Sequence, residues 1–291
     1  MFDSKPKYLA VDIGGTKIEV CTFGRNFNLL SSKKVSTKDF PINSMEFLKP
    51  IKDLLRDNFS DTIKKIGISF NCVVHKGVIT YSSLLGGYSN FPLSEEWSKE
   101  FNIPVVIEND VNAMALAESE FGHGKNRQSM LLINIGTGIR LSFIYEGKVI
   151  HGFTSNLGEI SQRIMTVPEL SDKEVNIDDF LSGKGISNIY KDFSGDDISA
   201  KEIFSKVTSD NNAQAAVNIF TKYFSRFLSE LSYFYNPEII VLNGSLKHAS
   251  EHFLPQALDM YYKQNFKFFY FKDVLISEID HGASLGAVLV K

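Results

Sequence analysis

Two glycine-rich turns, each placed directly after an apolar run, constrain the fold of this chain more than any other feature. The first turn, Asp12–Lys17, follows the apolar stretch Tyr8–Val11. The second, Gly136–Gly138, follows Met130–Ile135 in the other half of the chain. A further β-rich run comes next in both cases, so each half begins as strand, glycine turn, strand. This repeated beginning predicts two related halves, and therefore an α/β protein with a cleft between two lobes.

Composition excludes several other classes of protein. The 291 residues suit two domains or one large one. The chain has 31 Lys and Arg against 34 Asp and Glu, a net charge of −3, and so lacks the basic excess expected of a protein that binds nucleic acid or an anionic membrane. Its apolar runs are strand-sized and its first residues do not resemble a signal peptide, so a cytoplasmic protein is expected.

The first turn has the residues needed to bind phosphate. Gly14 and Gly15 would let backbone N–H groups approach phosphate oxygens, and Thr16 adds a hydroxyl donor. Asp12, at the end of a predicted strand, could hold Mg²⁺ through water. A tight β-hairpin with a solvated aspartate would use the same residues. The recurrence of a glycine turn at Gly136–Gly138 favours phosphate binding over a simple hairpin. The two turns would together bind one chain of phosphates.

A pair of Asx residues separates the predicted strand Pro104–Ile107 from the alanine-rich helix that begins at Val111. Either Asn109 or Asp110 could cap that helix by accepting hydrogen bonds from its first amides. One of these side chains is enough to cap the helix, so the other is available for a different role. Asp110, at the carboxyl end of a strand, suits the general base that deprotonates an attacking hydroxyl in phosphoryl transfer.

Taken together, these motifs resemble those of the ROK family, which joins repressors, open reading frames and sugar kinases. The matching segments run in order from Leu9 to the helix at Gly282–Val290, and they include Asp12–Lys17, Pro104–Asp110, Gly136–Gly138 and Gly158–Ile160. The resemblance implies a two-lobed, actin-like and hexokinase-like (ribonuclease H-like) ATPase fold. It also implies ATP and Mg²⁺ as cofactors and phosphorylation of a sugar, commonly at the 6-hydroxyl.

The resemblance further implies how the chain is divided and which residues act. An N-terminal lobe would comprise residues 1–110, with residues 282–291 packed back on it, and a C-terminal lobe would comprise 111–281. Asp110 would be the catalytic base. ATP and Mg²⁺ would be held by two phosphate loops and a turn beside the adenosine, namely Asp12 (also the Mg²⁺ residue), Gly14, Gly15, Thr16 and Lys17, then Gly136, Thr137 and Gly138, then Gly244. The sugar would be held by Asn109, Glu159, Gln162 and Asp178.

The sequence departs from the family pattern where a zinc site is expected. Family kinases often have a histidine where this chain has Gln162, and a cysteine-rich loop follows it. Residues 163–176 contain no cysteine, and the two cysteines of the chain, Cys21 and Cys72, lie far away in sequence. Glutamine is a poor zinc ligand, so we expect no structural zinc site and no zinc cofactor. The stretch Ser161–Asp179 is polar and is predicted to be irregular.

Other departures lie on the sugar side. Leu84 replaces a polar residue of the family pattern, and Asp178 stands one methylene short of a sugar-contacting glutamate. Arg140 replaces part of a glycine-rich run, where it would pair with a carboxylate, bind a ligand phosphate or be a solvated strand residue. These differences leave the sugar open. A hexose or an N-acetylhexosamine is expected, with glucose and N-acetylmannosamine as the leading cases.

Two remaining patterns have ordinary explanations. His248 and His252 have the spacing of one helix face rather than of a zinc-protease motif. The cluster Phe266–Phe271 could stack on bases, but a buried strand or a dimer surface is the favoured interpretation. A dimer surface fits the homodimers that the resemblance to the ROK family implies, so a homodimer is expected.

A non-catalytic, sugar-binding regulator of the same family is the alternative function. Family repressors carry a DNA-binding helix-turn-helix before the first phosphate loop, but only eleven residues precede Asp12. We therefore expect no DNA-binding domain.

Overall fold

The structure, a computed structural model, describes residues 5–291. Its strands are β1 (Tyr8–Ile13), β2 (Lys17–Phe23), β3 (Leu29–Ser36), β4 (Lys65–Phe70), β5 (Val73–His75), β6 (Val78–Ser82), β7 (Gly87–Phe91), β8 (Val105–Asn109), β9 (Ser129–Ile135), β10 (Ile139–Tyr145), β11 (Lys148–Val149), β12 (Ile164–Val167), β13 (Lys173–Asn176), β14 (Ile239–Asn243) and β15 (Asp273–Ile276). Its α-helices are α1 (Leu48–Asp57), α2 (Leu93–Phe101), α3 (Asp110–Phe121), α4 (Gly183–Ser194), α5 (Ala200–Lys206), α6 (Asn211–Phe234), α7 (Leu254–Gln264) and α8 (Gly282–Leu289).

The chain divides into two compact units. The first contains residues 5–125, 147–157 and 279–291, and the second contains residues 126–146 and 158–278. The sequence-based division placed the boundary after residue 110, whereas α3 falls within the first unit because it packs against α8. The expected lobe boundaries themselves stay a prediction.

The sheet of the first unit brings two predicted site segments to one edge. Its strand order is β3-β2-β1-β4-β8, and β1, β4 and β8 are mutually parallel. The register places Asp12 beside Ser69 and Ser69 beside Glu108. The carboxyl ends of these strands therefore meet at the same edge, with the Asp12–Lys17 turn after β1 and α3 after β8.

Small residues bring α8 unusually close to its neighbours. A Cβ at Gly286 would lie 1.6 Å from the Ala113 carbonyl oxygen of α3, and one at Gly67 on β4 would lie 2.5 Å from the Ala287 carbonyl carbon. Such approaches are possible only without side chains. They fix α8 against β4 and α3 on one face of this sheet, while Ile51 of α1 and Trp97 of α2 lie in the core on its other face.

The second unit has a sheet of the same design. Four consecutive strands of this sheet lie in the order β10-β9-β14-β15, with β10 antiparallel to β9 and the other neighbours parallel. The core beside it contains aromatic residues of α6, with Phe220 and Phe224 both packed edge-on against Phe253. The strand–turn–strand beginning that the sequence indicated in both halves is thus present as β1–β2 and β9–β10.

The structure differs from the sequence-based expectations in the second unit. The stretch expected to be irregular contains the antiparallel hairpin β12–β13. Helices α4 and α5 are present where the sequence patterns predict no element. The buried-strand interpretation of Phe266–Phe271 is wrong, because Lys267–Phe269 forms a 3₁₀ turn and Phe266 and Phe268 are 71% and 74% exposed.

His248 and His252, which were expected on one face of a helix, lie in the 3₁₀ segment Ser245–His252. No helix within residues 5–291 has the length and apolar character needed to cross a membrane.

Candidate active site

The first glycine turn is stabilised by a hydrogen bond within the turn and by another from a residue outside it. Gly14 donates its N–H to the Lys17 carbonyl at 3.0 Å, and Thr37 Oγ1 donates to the Gly14 carbonyl at 2.8 Å. Neither Gly14 nor Gly15 has the left-handed φ that a glycine-requiring turn would show, and a Cβ at Gly15 would meet nothing within 4 Å. The fold therefore does not demand glycine at position 15. A bare backbone there favours close approach by a ligand.

Asp12 has the character of a ligand for a hard cation. Ser69 Oγ donates to Asp12 Oδ1 at 2.6 Å. Burial raises the pKa of Asp12, although the hydrogen bond from Ser69 acts in the opposite direction. A nearby cation would offset the cost of keeping this carboxylate charged. An oxygen donor beside an open glycine turn therefore fits Mg²⁺.

Asn109 is the residue that caps α3. Its Oδ1 accepts from the backbone N–H groups of Val111 and Asn112 at 3.0 and 3.3 Å, and its Nδ2 donates to the Cys72 carbonyl at 3.1 Å. The cap thus needs no help from Asp110, the first residue of the helix, which is half-buried. Asp110 Oδ1 lies 3.0 Å from the N–H of Val111.

The second glycine turn depends on Asp178. Gly136 donates to the Gly138 carbonyl at 2.9 Å, and Gly183 donates to the Gly136 carbonyl at 2.8 Å. The N–H of Ile139 donates to Asp178 Oδ1 at 2.8 Å. A Cβ at Gly138 would lie 2.3 Å from that oxygen, so a side chain there would displace the Asp178 carboxylate from this turn. Asp178 was predicted to contact sugar; the structure shows it holding this turn, and its sugar contact stays a prediction.

Arg140 pairs with two of the predicted site residues. Its Nε lies 3.1 Å from Glu159 Oε2, and its Nη1 lies 3.9 Å from Asp178 Oδ1. Glu159 is brought to this position by Gly158, whose carbonyl accepts from the N–H of Leu141 at 3.1 Å. Of the alternatives for Arg140, pairing with a carboxylate is the one observed. Gln162 is exposed.

Gly244 closes the turn after β14 against the second glycine turn. Its φ is +87°, and a Cβ at this position would lie 2.2 Å from the Ile135 carbonyl oxygen. Asn243 is in register with Asn134 on β9. The predicted adenosine turn and the predicted second phosphate loop are therefore neighbours within the second unit.

The segment at the position of the family's zinc loop lacks the side chains that bind zinc. Residues 161–176 contain neither cysteine nor histidine, and part of this stretch is the β12–β13 hairpin. These residues do not fit a structural zinc ion. The expectation that the protein lacks zinc stays a prediction.

Elsewhere, Glu19, Cys21 and His281 approach within 4.8 Å of one another, a group that the spacing of histidines in the sequence did not suggest. Glu19 Oε1 accepts from Ser32 Oγ at 2.6 Å, and Lys34 Nζ lies 3.3 Å away. His281 Nδ1 lies 3.0 Å from the same oxygen. Burial raises the pKa of the Cys21 thiol to about 11. Because the carboxylate already has these partners and the thiol is protonated, the group is explained as a buried ion-pair network.

Comparisons with known proteins find similar sequences. An N-acetyl-D-glucosamine kinase of Haemophilus influenzae is 27% identical over 272 residues, which cover 86% of this chain and 88% of that protein. A glucokinase of Halalkalibacterium halodurans is 27% identical over 276 residues, covering 84% and 82%.

Solved structures share the fold. A ROK family glucokinase from Streptomyces griseus, in complex with glucose and AMPPNP, has a TM-score of 0.74 at 22% identity and covers 97% of both chains. A ROK family transcriptional regulator, a homolog of the Escherichia coli MLC protein, has a TM-score of 0.80 at 18% identity, with 97% of this chain and 76% of that one covered.

The fold and the two glycine turns define an α/β protein of the actin-like and hexokinase-like class, which confirms the expected fold. The ROK family model matches residues 8–291. The chain therefore belongs to the ROK family.

Proposed function

We propose that this protein is an ATP-dependent sugar kinase in which Asp110 is the general base. One observation carries the proposal: the Asp12–Lys17 turn and Asp110 follow strands β1 and β8, which end at the same sheet edge with only β4 between them. Strands two places apart are separated by about 10 Å. That separation suits a phosphoryl group held at one strand end and an acceptor hydroxyl held at the other.

The proposed chemistry assigns a role to each group. Asp110 accepts the proton of the sugar hydroxyl as that oxygen attacks the terminal phosphorus of ATP, and the bond from this phosphorus to the bridging oxygen breaks to release ADP. Backbone N–H groups of Gly14, Gly15 and the Gly136–Gly138 turn donate to the phosphate oxygens. Asp12 would hold Mg²⁺, directly or through water, and this ion would offset the charge of the transferring group.

The sugar is proposed to be a hexose or an N-acetylhexosamine. Asn109, Glu159, Gln162 and Asp178 are the proposed hydrogen-bonding residues. Arg140 supports this assignment because it holds the Glu159 carboxylate in one orientation. The names of the two curated relatives make N-acetylglucosamine and glucose necessary members of a substrate panel, together with N-acetylmannosamine.

A sugar-binding regulator without turnover is the second candidate, because a transcriptional regulator shares the fold over 97% of this chain.

Either function is compatible with a homodimer. The exposed rings of Phe266 and Phe268 are the proposed contact surface, and sedimentation velocity would test this assembly.

ADP release separates the two candidates. The assay would follow ADP formation from ATP and Mg²⁺ over a panel of hexoses and N-acetylhexosamines, with wild type, Asp110→Asn and the exposed control Asp61→Asn. We expect one sugar to stimulate wild type and the control equally. Asp110→Asn should lower kcat by about 10²–10⁴-fold with little change in the sugar KM.

If no sugar stimulates ADP release, the kinase proposal fails. Isothermal titration would then show whether a sugar binds without turnover. If Asp110→Asn keeps full activity, the assigned base is wrong even though the kinase proposal survives.

A further inference from the structure

Glu108 is a buried carboxylate that stands directly before the Asn109–Asp110 turn at the end of β8. It is 5% exposed. Its Oε1 accepts from the backbone N–H of Asn109 at 2.9 Å and from the side-chain amide of Asn112 at 3.0 Å. One oxygen therefore joins the end of the strand to the first turn of α3. Asp110 lies between the two residues that this oxygen binds.

The other oxygen of the same carboxylate faces His151. Glu108 Oε2 lies 2.8 Å from His151 Nε2. The hydrogen bond to Glu108 raises the pKa of His151 above its ordinary value of 6.5, although burial acts against this shift. A protonated His151 thus makes a charge-assisted hydrogen bond to Glu108, stronger than the bond a neutral imidazole would make.

His151 belongs to residues 147–157, and this segment makes a second contact with the rest of the first unit. His75 Nδ1 on β5 lies 3.0 Å from Ser155 Oγ. The N–H of Leu157 donates to the His151 carbonyl at 3.1 Å. Two histidines therefore hold one short segment, but only His151 contacts the carboxylate that supports the Asp110 turn.

The charges around His151 identify Glu108 as its main partner. A cavity of about 480 Å³ is lined by both members of the pair, and its other titratable or basic side chains are His75, Lys76 and Lys291. Glu108 favours a positive charge on His151 both through its hydrogen bond and through its own charge. Asp110 is the next carboxylate along the chain.

We propose that Glu108 and His151 are positioning residues for the phosphoryl transfer: protonated His151 fixes the Glu108 carboxylate, and that carboxylate fixes the Asn109–Asp110 turn. The inference rests on the proposed kinase function. When His151 loses its proton, its bond to Glu108 weakens and the charge of Glu108 is less well compensated. We therefore expect kcat to fall as the pH rises through the raised pKa of His151, that is, above 6.5.

Variants at position 151 separate charge from hydrogen bonding. Both kcat and KM would be measured from about pH 6 to about pH 9 for wild type, His151→Gln, His151→Lys and the control His75→Gln. The glutamine keeps a donor without charge, so kcat should be about tenfold lower at acid pH and the alkaline decline should vanish. The lysine keeps a charge throughout this range and should extend the active plateau to higher pH.

His75→Gln should keep the alkaline decline, because His75 does not touch Glu108. The inference is overturned if His151→Gln retains both the kcat and the alkaline decline of wild type. It is also overturned if His75→Gln abolishes the decline as His151→Gln does, since any loosening of residues 147–157 would then suffice.

Hydrogen exchange tests the same inference without turnover. The protection factors of the Asn109–Asn112 amides, which correct for the intrinsic effect of pH, should be lower in His151→Gln than in wild type, and lower in wild type once His151 is deprotonated. Unchanged exchange in the variant would overturn the inference. Absence of sugar-stimulated ADP release from wild type would overturn the kinase proposal instead, so the two failures are distinct.

Discussion

The backbone N–H of Ile139 donates to Asp178 Oδ1 at 2.8 Å, and this bond holds the Gly136–Gly138 turn. Ile139 is fully buried, so its N–H would be left without an acceptor in Asp178→Ala. We expect that variant to lose about 1–3 kcal/mol of unfolding free energy. Asp178→Asn keeps an oxygen acceptor and should lose less than about 1 kcal/mol. Urea denaturation followed by circular dichroism measures both. Equal losses would show that the charge of Asp178, rather than this bond, stabilises the turn.

Arg140 should affect substrate binding more than stability. Arg140 and Glu159 are both about 30% exposed, and ion pairs of this kind contribute about 0–1 kcal/mol to folding. Arg140→Gln should therefore hardly change the unfolding free energy but should raise the sugar KM several-fold, because Glu159 is released. Arg127→Gln, which breaks a comparable pair with Glu238, is the matched control and should leave the KM unchanged. An equal KM change in both variants would contradict a specific role for Arg140.

Gly244 should tolerate no side chain. Its φ of +87° and ψ of 178° lie in a region that only glycine populates, and a Cβ would meet the Ile135 carbonyl oxygen at 2.2 Å. Gly195, at the end of α4, also has a positive φ, but a Cβ there would meet nothing within 4 Å. Gly195→Ala should cost about 1 kcal/mol and Gly244→Ala at least about 3 kcal/mol, with a raised ATP KM. Thermal unfolding would measure both, and similar costs would contradict the close approach.

Glu19 should give the protein an acid-sensitive stability. Burial opposes its ionisation, but the hydrogen bonds from Ser32 and His281 prevail and hold the pKa of Glu19 below its ordinary value of 4.5. Its contribution is therefore complete above about pH 4.5 and is lost as the pH falls through the lowered pKa. Glu19→Gln should cost about 1.5–3 kcal/mol at pH 7, because the hydrogen bonds from Ser32 and His281 lose their charged acceptor. Urea denaturation at several pH values would show this difference shrinking in acid. A difference that does not vary with pH would contradict the prediction.

Local sequence patterns predicted the parts of the site that lie next to one another in the chain. The Asp12–Lys17 turn follows a buried strand because an apolar run ends at an aspartate and two glycines. The Asn109 cap follows from Asx residues placed before an alanine-rich run. Each of these signals is complete within about ten residues, so no knowledge of tertiary packing is needed to find it.

Partners far apart in sequence could not be found in this way. The bond between Ile139 and Asp178, the pair of His151 with Glu108, and the support of Asp12 by Ser69 each join different strands or loops. No local periodicity encodes such pairings, since they depend on strand order and register. The sequence does not predict the β12–β13 hairpin, because its two short strands show little alternation of apolar and polar residues.

The packing of α8 against Gly67 and Ala113 has a consequence for how the polypeptide is made. On the ribosome, β1 to α3 emerge first, yet the helix that covers one face of their sheet is synthesised after the entire second unit. The first unit therefore stays incomplete, with an apolar sheet face exposed, until nearly the whole chain has been made, and α8 follows the last strand of the second unit by only a few residues. A nascent chain that ends before residue 279 would leave the α8-binding face of this sheet exposed, and it is the form that chaperones should hold.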